Sequence, residues 1–153
     1  MKKKNTLLLF LCLFSLWAVA QENKPVKIAC VGNSITYGSG IKNQFQNSYP
    51  GLLSQLLGEG YDVRNFGISA RVLLNKGDHP YMHEQKFRDL LAFQPDIVTI
   101  KLGTNDSKPW NWRYGKDFKK DLTEMLDILQ ELPSKPKICL LYTSPSPRDG
   151  LLS

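Results

Sequence analysis

Residues 26–36 read VKIACVGNSIT, an apolar run that ends at a glycine and is followed by an asparagine and a serine. An apolar run of this kind is typical of a strand that is buried on both faces of a parallel sheet. The glycine permits a tight turn, and a serine just beyond such a turn can present its hydroxyl group outward. The stretch therefore predicts a buried strand over residues 26–31, with Ser34 close to its carboxyl end.

Strand and helix patterns alternate along the rest of the chain. Short apolar runs predict strands, and apolar residues that recur at helical spacing predict helices. The predicted strands cover residues 61–66, 96–102 and 137–142, and the predicted helices cover residues 49–57, 83–93 and 118–129. This alternation predicts right-handed βαβ units and a parallel sheet with helices on both faces. We therefore expect an α/β fold, a three-layer αβα sandwich whose flavodoxin-like sheet lacks its last strand and helix.

Three of the predicted strands end in polar segments that contain a glycine. These segments are Gly32-Asn33-Ser34, Asn65-Phe66-Gly67 and Gly103-Thr104-Asn105-Asp106. Because the carboxyl ends of parallel strands lie at one edge of a sheet, the segments are expected to converge. The N–H of Ser34, the N–H of Gly67 and the side-chain amide of Asn105 can then point at one oxyanion, as ester hydrolysis requires.

The segments GNSIT, NFG and GTND resemble, in this order, the first three conserved blocks of the SGNH/GDSL hydrolases. These are the GDSL-like lipases and acylhydrolases, which include sialate O-acetylesterase-like proteins. The resemblance implies Ser34 as nucleophile, and Ser34, Gly67 and Asn105 as the donors of the oxyanion hole. Asn33 stands where the family has an aspartate and can still cap the turn. Asp106 is expected to support the loop by bonding to backbone amides.

One element of the family pattern is missing from the chain. The family's general base lies in a late Asp-x-x-His block, but no histidine follows Asn105. His79 and His83 are the only histidines, and we expect both to be loop or surface residues. Without a base, the chain as written is expected to show little activity. The resemblance implies no metal and no organic cofactor.

Aromatic residues follow directly after the Asn105 loop. Trp110 and Trp112 can stack on a sugar ring or an acyl group of a substrate, or can pack the loop against the domain. Both interpretations stay open. Arg71 can orient a substrate, although an ordinary exposed arginine is the simpler interpretation.

The first residues have the pattern of a secretory signal peptide over residues 1–20. Three lysines at 2–4 precede an apolar run from Leu7 to Val19, and small residues allow cleavage after Ala20. The run is too short for a membrane span, so we expect a secreted or periplasmic protein without a stable membrane anchor. Cleavage lowers the net charge from +6 to +3, which argues against a nucleic-acid partner.

The remaining sequence is expected to form an incomplete hydrolase domain over residues 21–141. Residues 142–153 are expected to be a disordered or non-native tail, because LLYTSPSPRD resembles a translated adapter sequence. Cys30 and Cys139 can pair if their Cα atoms come within about 7 Å. The alternative that we prefer is that both are buried in strands as free thiols.

These patterns and the resemblance together predict a secreted serine ester hydrolase that removes acetyl or other short acyl groups from carbohydrate through an acyl-enzyme at Ser34. Its partner is then a small-molecule or carbohydrate ester. One alternative is a lysophospholipase or thioesterase of the same family. Another is a non-catalytic carbohydrate-binding domain on the same fold. A nucleotide-binding protein is disfavoured, because the first loop has no phosphate-binding pattern. The sequence does not indicate the oligomeric state.

Overall fold

The computed structural model describes residues 24–142. The predicted signal peptide and all of the predicted tail except Tyr142 lie outside the described residues. Within them, four strands form one sheet. The strands are β1 (Val26–Gly32), β2 (Tyr61–Gly67), β3 (Ile97–Lys101) and β4 (Lys137–Leu140). All four strand predictions are confirmed, and the ends of the strands differ by a residue or two from those predicted.

The sheet is parallel throughout and has the strand order β2-β1-β3-β4. Strand β2 therefore lies on one side of β1, whereas β3 and β4 lie on the other side. The direction in which strands are added to the sheet reverses after β2. This reversal puts the carboxyl end of β1 at a topological switch point, where open α/β sheets bind their ligands. The expected flavodoxin-like arrangement is confirmed.

Helices connect the strands. Their bounds are α1 (Ser34–Tyr37), α2 (Gln44–Asn47), α3 (Tyr49–Leu57), α4 (Gln85–Phe93), α5 (Pro109–Trp112) and α6 (Phe118–Gln130). Two short 3₁₀ helices cover Tyr81–His83 and Gly115–Asp117. The chain leaves α4 at Gln94, whose φ of 51° lies in the left-handed region, and Pro95 prevents the helix from continuing. The three longest helices are those that the periodicity predicts.

The main core lies on one face of the sheet, between the strands and the helices α4 and α6. Buried side chains of β1, β2 and β3 contact it from one side: Ala29, Val31, Phe66, Val98 and Ile100. The helices supply the other side: Phe87, Leu90, Phe93, Met125 and Leu129. On the opposite face, the hydroxyl of Tyr49 at the start of α3 hydrogen-bonds the Thr99 hydroxyl of β3 at 2.7 Å. Helices thus cover both faces, which confirms the expected sandwich.

The two cysteines are both free and lie on different strands. Cys30 and Cys139 are each in register with Thr99, from opposite sides of β3. Two strand spacings separate them by about 9.6 Å, which is too far for a disulfide. The prediction of burial is confirmed for Cys30. It is wrong for Cys139, which is exposed because β4 is the outermost strand of the described sheet.

Among the helices of residues 24–142, none has both the length and the apolar character to cross a bilayer. The same residues hold no group of three or more histidine, cysteine or acidic side chains suited to a metal ion.

Candidate active site

Ser34 lies in the turn that follows β1. Gly32 ends the strand, and a Cβ at that position would lie 2.7 Å from the carbonyl oxygen of Lys101 on the neighbouring strand. Asn33 is buried and caps α1, because its Oδ1 accepts the N–H of Ile35 at 3.1 Å. Asparagine thus performs the capping role that an aspartate could also perform. Ser34 itself is half-buried and is the first residue of the helix.

The strand ends meet side by side, as the sequence predicts. Gly32 is in register with Gly67 of β2 on one side and with Lys101 of β3 on the other. Asn105 follows four residues after Lys101. The segments that hold Ser34, Gly67 and Asn105 therefore leave the sheet at the same edge, on three adjacent strands.

Gly67 contributes a close contact between β2 and α1. A Cβ at this position would lie 2.3 Å from the backbone nitrogen of Tyr37, so a side chain would push α1 away from the strand. The Gly67 N–H donates to Asn65 Oδ1 at 2.9 Å. Asn65 Nδ2 in turn donates to the carbonyl oxygen of Thr36 at 3.0 Å. Asn65, which the sequence analysis did not assign a role, therefore ties β2 to the helix of Ser34.

Ala70 has the backbone geometry of a glycine, with φ 66° in the left-handed region. Its N–H has no hydrogen-bond partner in the part of the chain that the structure describes. Two bonds hold the residues around it: Ser69 bonds the Ser39 hydroxyl just after α1, and the Arg71 carbonyl accepts from Asn105 Nδ2 at 3.0 Å. A free N–H is thus fixed between the helix of Ser34 and the Asn105 loop. No pattern in the sequence marks this residue.

Asn105 and Asp106 have separate roles in their loop. The half-buried Asn105 uses one amide hydrogen on the Arg71 carbonyl, which leaves the second free. Asp106 is fully buried, and its carboxylate accepts the N–H groups of Leu73 and Leu74 at 2.8–3.1 Å. These are the contacts of a residue that anchors two loops to each other.

Asn111 is a second buried anchor, and no sequence pattern predicted it. Its Oδ1 accepts the N–H of Asp78 at 3.0 Å, while its Nδ2 donates to the Asp78 carboxylate and to the carbonyl oxygen of Asn105, each at 3.0 Å. Helix α5 is therefore fixed to the Asn105 loop. An asparagine within a short helix gives no signal of such bonds, because both partners lie elsewhere in the sequence.

Trp110 and Trp112 are each about half exposed, at 53% and 54%. Trp110 donates its indole N–H to Asp78 at 3.2 Å, and the Trp112 ring lies 6.1 Å from the Phe118 ring. Burial by itself would raise the pKa of Asp78, but hydrogen bonds from Trp110 and Asn111 hold that pKa below its usual value. Each tryptophan is anchored at one edge and open at the other, so packing and ligand contact are both compatible with this geometry.

Arg71 and the two histidines form no hydrogen bond or salt bridge with Ser34 within residues 24–142. Arg71 forms a salt bridge with Glu84 at 2.8 Å and also bonds the Ser69 carbonyl. His79 and His83 are exposed, as predicted, in the loop after β2 and in the 3₁₀ helix that follows it. Neither is hydrogen-bonded to Ser34 within the described residues. Within residues 24–142, the candidate site therefore shows no imidazole bonded to the serine.

The sequence matches the model of the GDSL-like lipase/acylhydrolase family over residues 30–152. A relative in Xylanibacter ruminicola, named acetylxylan esterase, is 52% identical over 117 residues. That match covers 76% of this chain but only 24% of the relative. The chain thus spans about a quarter of the length of that protein.

Solved structures share the fold at lower sequence identity. AlinE4, a SGNH-hydrolase family esterase, superposes with a TM-score of 0.58 at 23% identity, over 82% of this chain and 62% of its own. Est24, a carbohydrate acetylesterase from Sinorhizobium meliloti, gives 0.61 at 21% identity, over 78% and 65%. An aryl esterase of M. smegmatis gives 0.61 at 22% identity, over 82% and 70%. With its sequence matched over most of its length and its sheet shared with these proteins, the chain belongs to the GDSL-like lipase/acylhydrolase family.

Proposed function

We propose that the protein is an exported esterase that removes acetyl or other short acyl groups from carbohydrate, with Ser34 as its nucleophile. The observation that carries this proposal is the meeting of three adjacent strand ends at one sheet edge, where Ser34 begins a capped helix beside the Asn105 loop. The name of the relative in Xylanibacter ruminicola supports an ester on a polysaccharide as the substrate.

In the proposed reaction, Ser34 Oγ bonds to the ester carbonyl carbon, the sugar hydroxyl leaves, and water then releases the acid. The negative charge on the carbonyl oxygen needs donors already in place. The N–H of Ser34 and the free amide hydrogen of Asn105 are two of them. We assign the third to the N–H of Ala70, because the N–H of Gly67 already bonds Asn65. Gly67 then serves to keep α1 close to the sheet.

The proton of Ser34 requires a base. By its resemblance to the family, the protein should take this base from a late Asp-x-x-His block, and no histidine follows Asn105 in the 153-residue sequence. We therefore expect this chain alone to hydrolyse a small acetyl ester slowly. A longer protein that joins this chain to such a block is expected to hydrolyse it efficiently, because loss of one triad member costs several orders of magnitude.

The assignment of the nucleophile is tested by replacing Ser34 with alanine in the protein that contains the base. We expect hydrolysis of 4-nitrophenyl acetate to fall at least about 10³-fold, because the oxyanion donors alone give only residual catalysis. Ser134→Ala is the matched control, since the Ser134 hydroxyl is buried without a hydrogen-bond partner in a loop beyond α6. Equal rates for the Ser34 and Ser134 variants would refute the proposed nucleophile.

Export is the remaining part of the proposal. It is supported by the three lysines, the apolar run and the small residues before Gln21. N-terminal sequencing of the protein recovered outside the cytoplasm should begin at Gln21. Recovery of the intact Met1 terminus from the cytoplasm alone would contradict export.

A further inference from the structure

A groove with a volume of about 550 Å³ opens beside the candidate active site. It lies between the segment from α1 to α3 and the edge strand β2. Tyr37, which lines it, is three residues after Ser34 on the same helical turn. Side chains with this spacing lie on the same face of a helix, so the groove begins one turn away from the proposed nucleophile.

The walls of the groove are fixed by a close backbone contact. A Cβ at Gly51 of α3 would lie 2.3 Å from the carbonyl oxygen of Phe45, so only glycine lets α2 pack this closely on α3. The contact holds Phe45 at the rim, where the residue is 93% exposed. Tyr37 is 38% exposed and also borders the groove. Two aromatic rings therefore border the groove, and the close packing of α2 on α3 fixes the backbone of Phe45.

Uncharged amide side chains also line the groove: Gln44, Gln46, Asn47, Gln55 and Asn65. Three of them each use one N–H within the protein: Gln44 donates to the Tyr37 carbonyl, Asn47 to the Lys42 carbonyl, and Gln55 to the Gln46 carbonyl. None of the three amide oxygens accepts a hydrogen bond from a residue within 24–142. Each such oxygen can accept two. The groove thus offers free acceptors together with remaining N–H donors, which suits a ligand rich in hydroxyl groups, because a hydroxyl both donates and accepts.

The charge of the groove argues for a neutral ligand. Lys86 is the one ionisable cation in its lining, and its ammonium group already donates to the Gly67 carbonyl at 3.3 Å. Burial lowers the pKa of Lys86, so its positive charge is less favoured here than in water. The lining of the groove contains no cluster of cationic side chains that could bind a phosphate or a polyanion. A long acyl chain would cover the amide oxygens without giving them hydrogen bonds, which costs free energy.

We propose that this groove binds the neutral sugar backbone of the ester substrate, on the residues next to the one whose acyl group is held at Ser34. The inference rests on the proposed function. The amide oxygens accept hydroxyl groups of the sugars, and the rings of Tyr37 and Phe45 pack against their C–H faces. The volume of the groove is within the range of ligand pockets.

The test measures binding without chemistry. Xylohexaose is titrated into the protein carrying Ser34→Ala, and calorimetry gives the Kd. We expect Phe45→Ala to weaken binding about tenfold, as the loss of one aromatic contact predicts. Leu56→Ala is the matched control, because Leu56 is 84% exposed on α3 but does not line the groove. Its Kd should equal that of the parent.

Several outcomes would overturn the proposal. These are a parent that does not bind xylohexaose, an unchanged Kd for the Phe45 variant, or an equal loss for the Leu56 variant. Tighter binding of an oligogalacturonate of the same length would show that the groove prefers anions. A different result would contradict the proposed function alone. In that case xylohexaose still binds, but the hydrolysis of 4-nitrophenyl acetate does not depend on Ser34. Thermal melting of both variants checks that they fold, and neither side chain is buried.

Discussion

At the scale of single residues, buried polar side chains fix the loops around Ser34. Helix α1 has only four residues, too few for a helix to be stable by itself. Its position depends instead on the Asn33 cap and on the bonds from Asn65 to its last carbonyls. Asp106 and Asn111 do the same for the loop of Asn105. Each connects segments about 30 residues apart, so the site is held by tertiary bonds.

Asp106 allows the most direct test of this arrangement. Asp106→Ala removes the acceptor for the N–H groups of Leu73 and Leu74, both in buried residues. We expect the free energy of unfolding to fall by about 3 kcal/mol, because buried donors without partners are costly. Urea denaturation measures the change. Asp62→Ala is the control, since its carboxylate pairs with the exposed Arg64 and should contribute less than about 1 kcal/mol. Equal changes for the two variants would show that Asp106 is not an anchor.

At the scale of elements, the approach of α1 to the sheet decides where Ser34 lies. The ends of β1 and β2 are both glycines, in register with each other, and each would clash with its surroundings if it carried a Cβ. The helix can therefore lie directly on the strand ends. This packing requires a glycine at position 67.

Gly67→Ala tests the packing of α1 on β2. The new Cβ would meet the Tyr37 backbone nitrogen, which cannot rotate away as a flexible side chain could. We expect urea denaturation to show a loss of stability of about 1–3 kcal/mol. Because α1 carries Ser34, we also expect slower hydrolysis of 4-nitrophenyl acetate by the longer protein that contains the base. Gly60→Ala is the matched control, as no heavy atom lies within 4 Å of its added Cβ. An active, fully stable Gly67 variant would show that α1 need not lie this close.

The strands and helices of the fold could be predicted from the sequence, whereas the side-chain hydrogen bonds that connect them could not. Hydrophobic periodicity is a local signal, so the strands and the long helices follow from it. Ala70 carries no such signal, so the sequence led to Gly67 as the predicted oxyanion donor, and the proposal of Ala70 comes from the structure. Only the coordinates show that the Gly67 N–H bonds Asn65 and that the Ala70 backbone is left-handed. Periodicity also could not show which strand would be outermost, which is why the burial of Cys139 was predicted wrongly.

At the scale of the whole molecule, the two outer strands of the described sheet differ. Strand β2 carries a salt bridge between Asp62 and Arg64. The guanidinium group of Arg64 also lies over the Phe93 ring, 4.2 Å from its centroid. Charged residues on an outer strand discourage pairing with other chains. Strand β4 has four residues, and Cys139 on it is exposed. Within residues 24–142, the outer strand β4 thus carries an exposed thiol and the outer strand β2 carries none.

Thiol labelling tests this placement of the strands. Cys139 should react readily with iodoacetamide in the folded protein, because it is exposed on the outermost described strand. Cys30 is inaccessible, and burial raises the pKa of its thiol, so less of the reactive thiolate exists at any given pH. Peptide mass mapping should therefore find Cys139 labelled in native buffer, and Cys30 labelled only after unfolding in urea. Equal native labelling, or a disulfide joining the two, would contradict a sheet in which β3 separates β1 from β4.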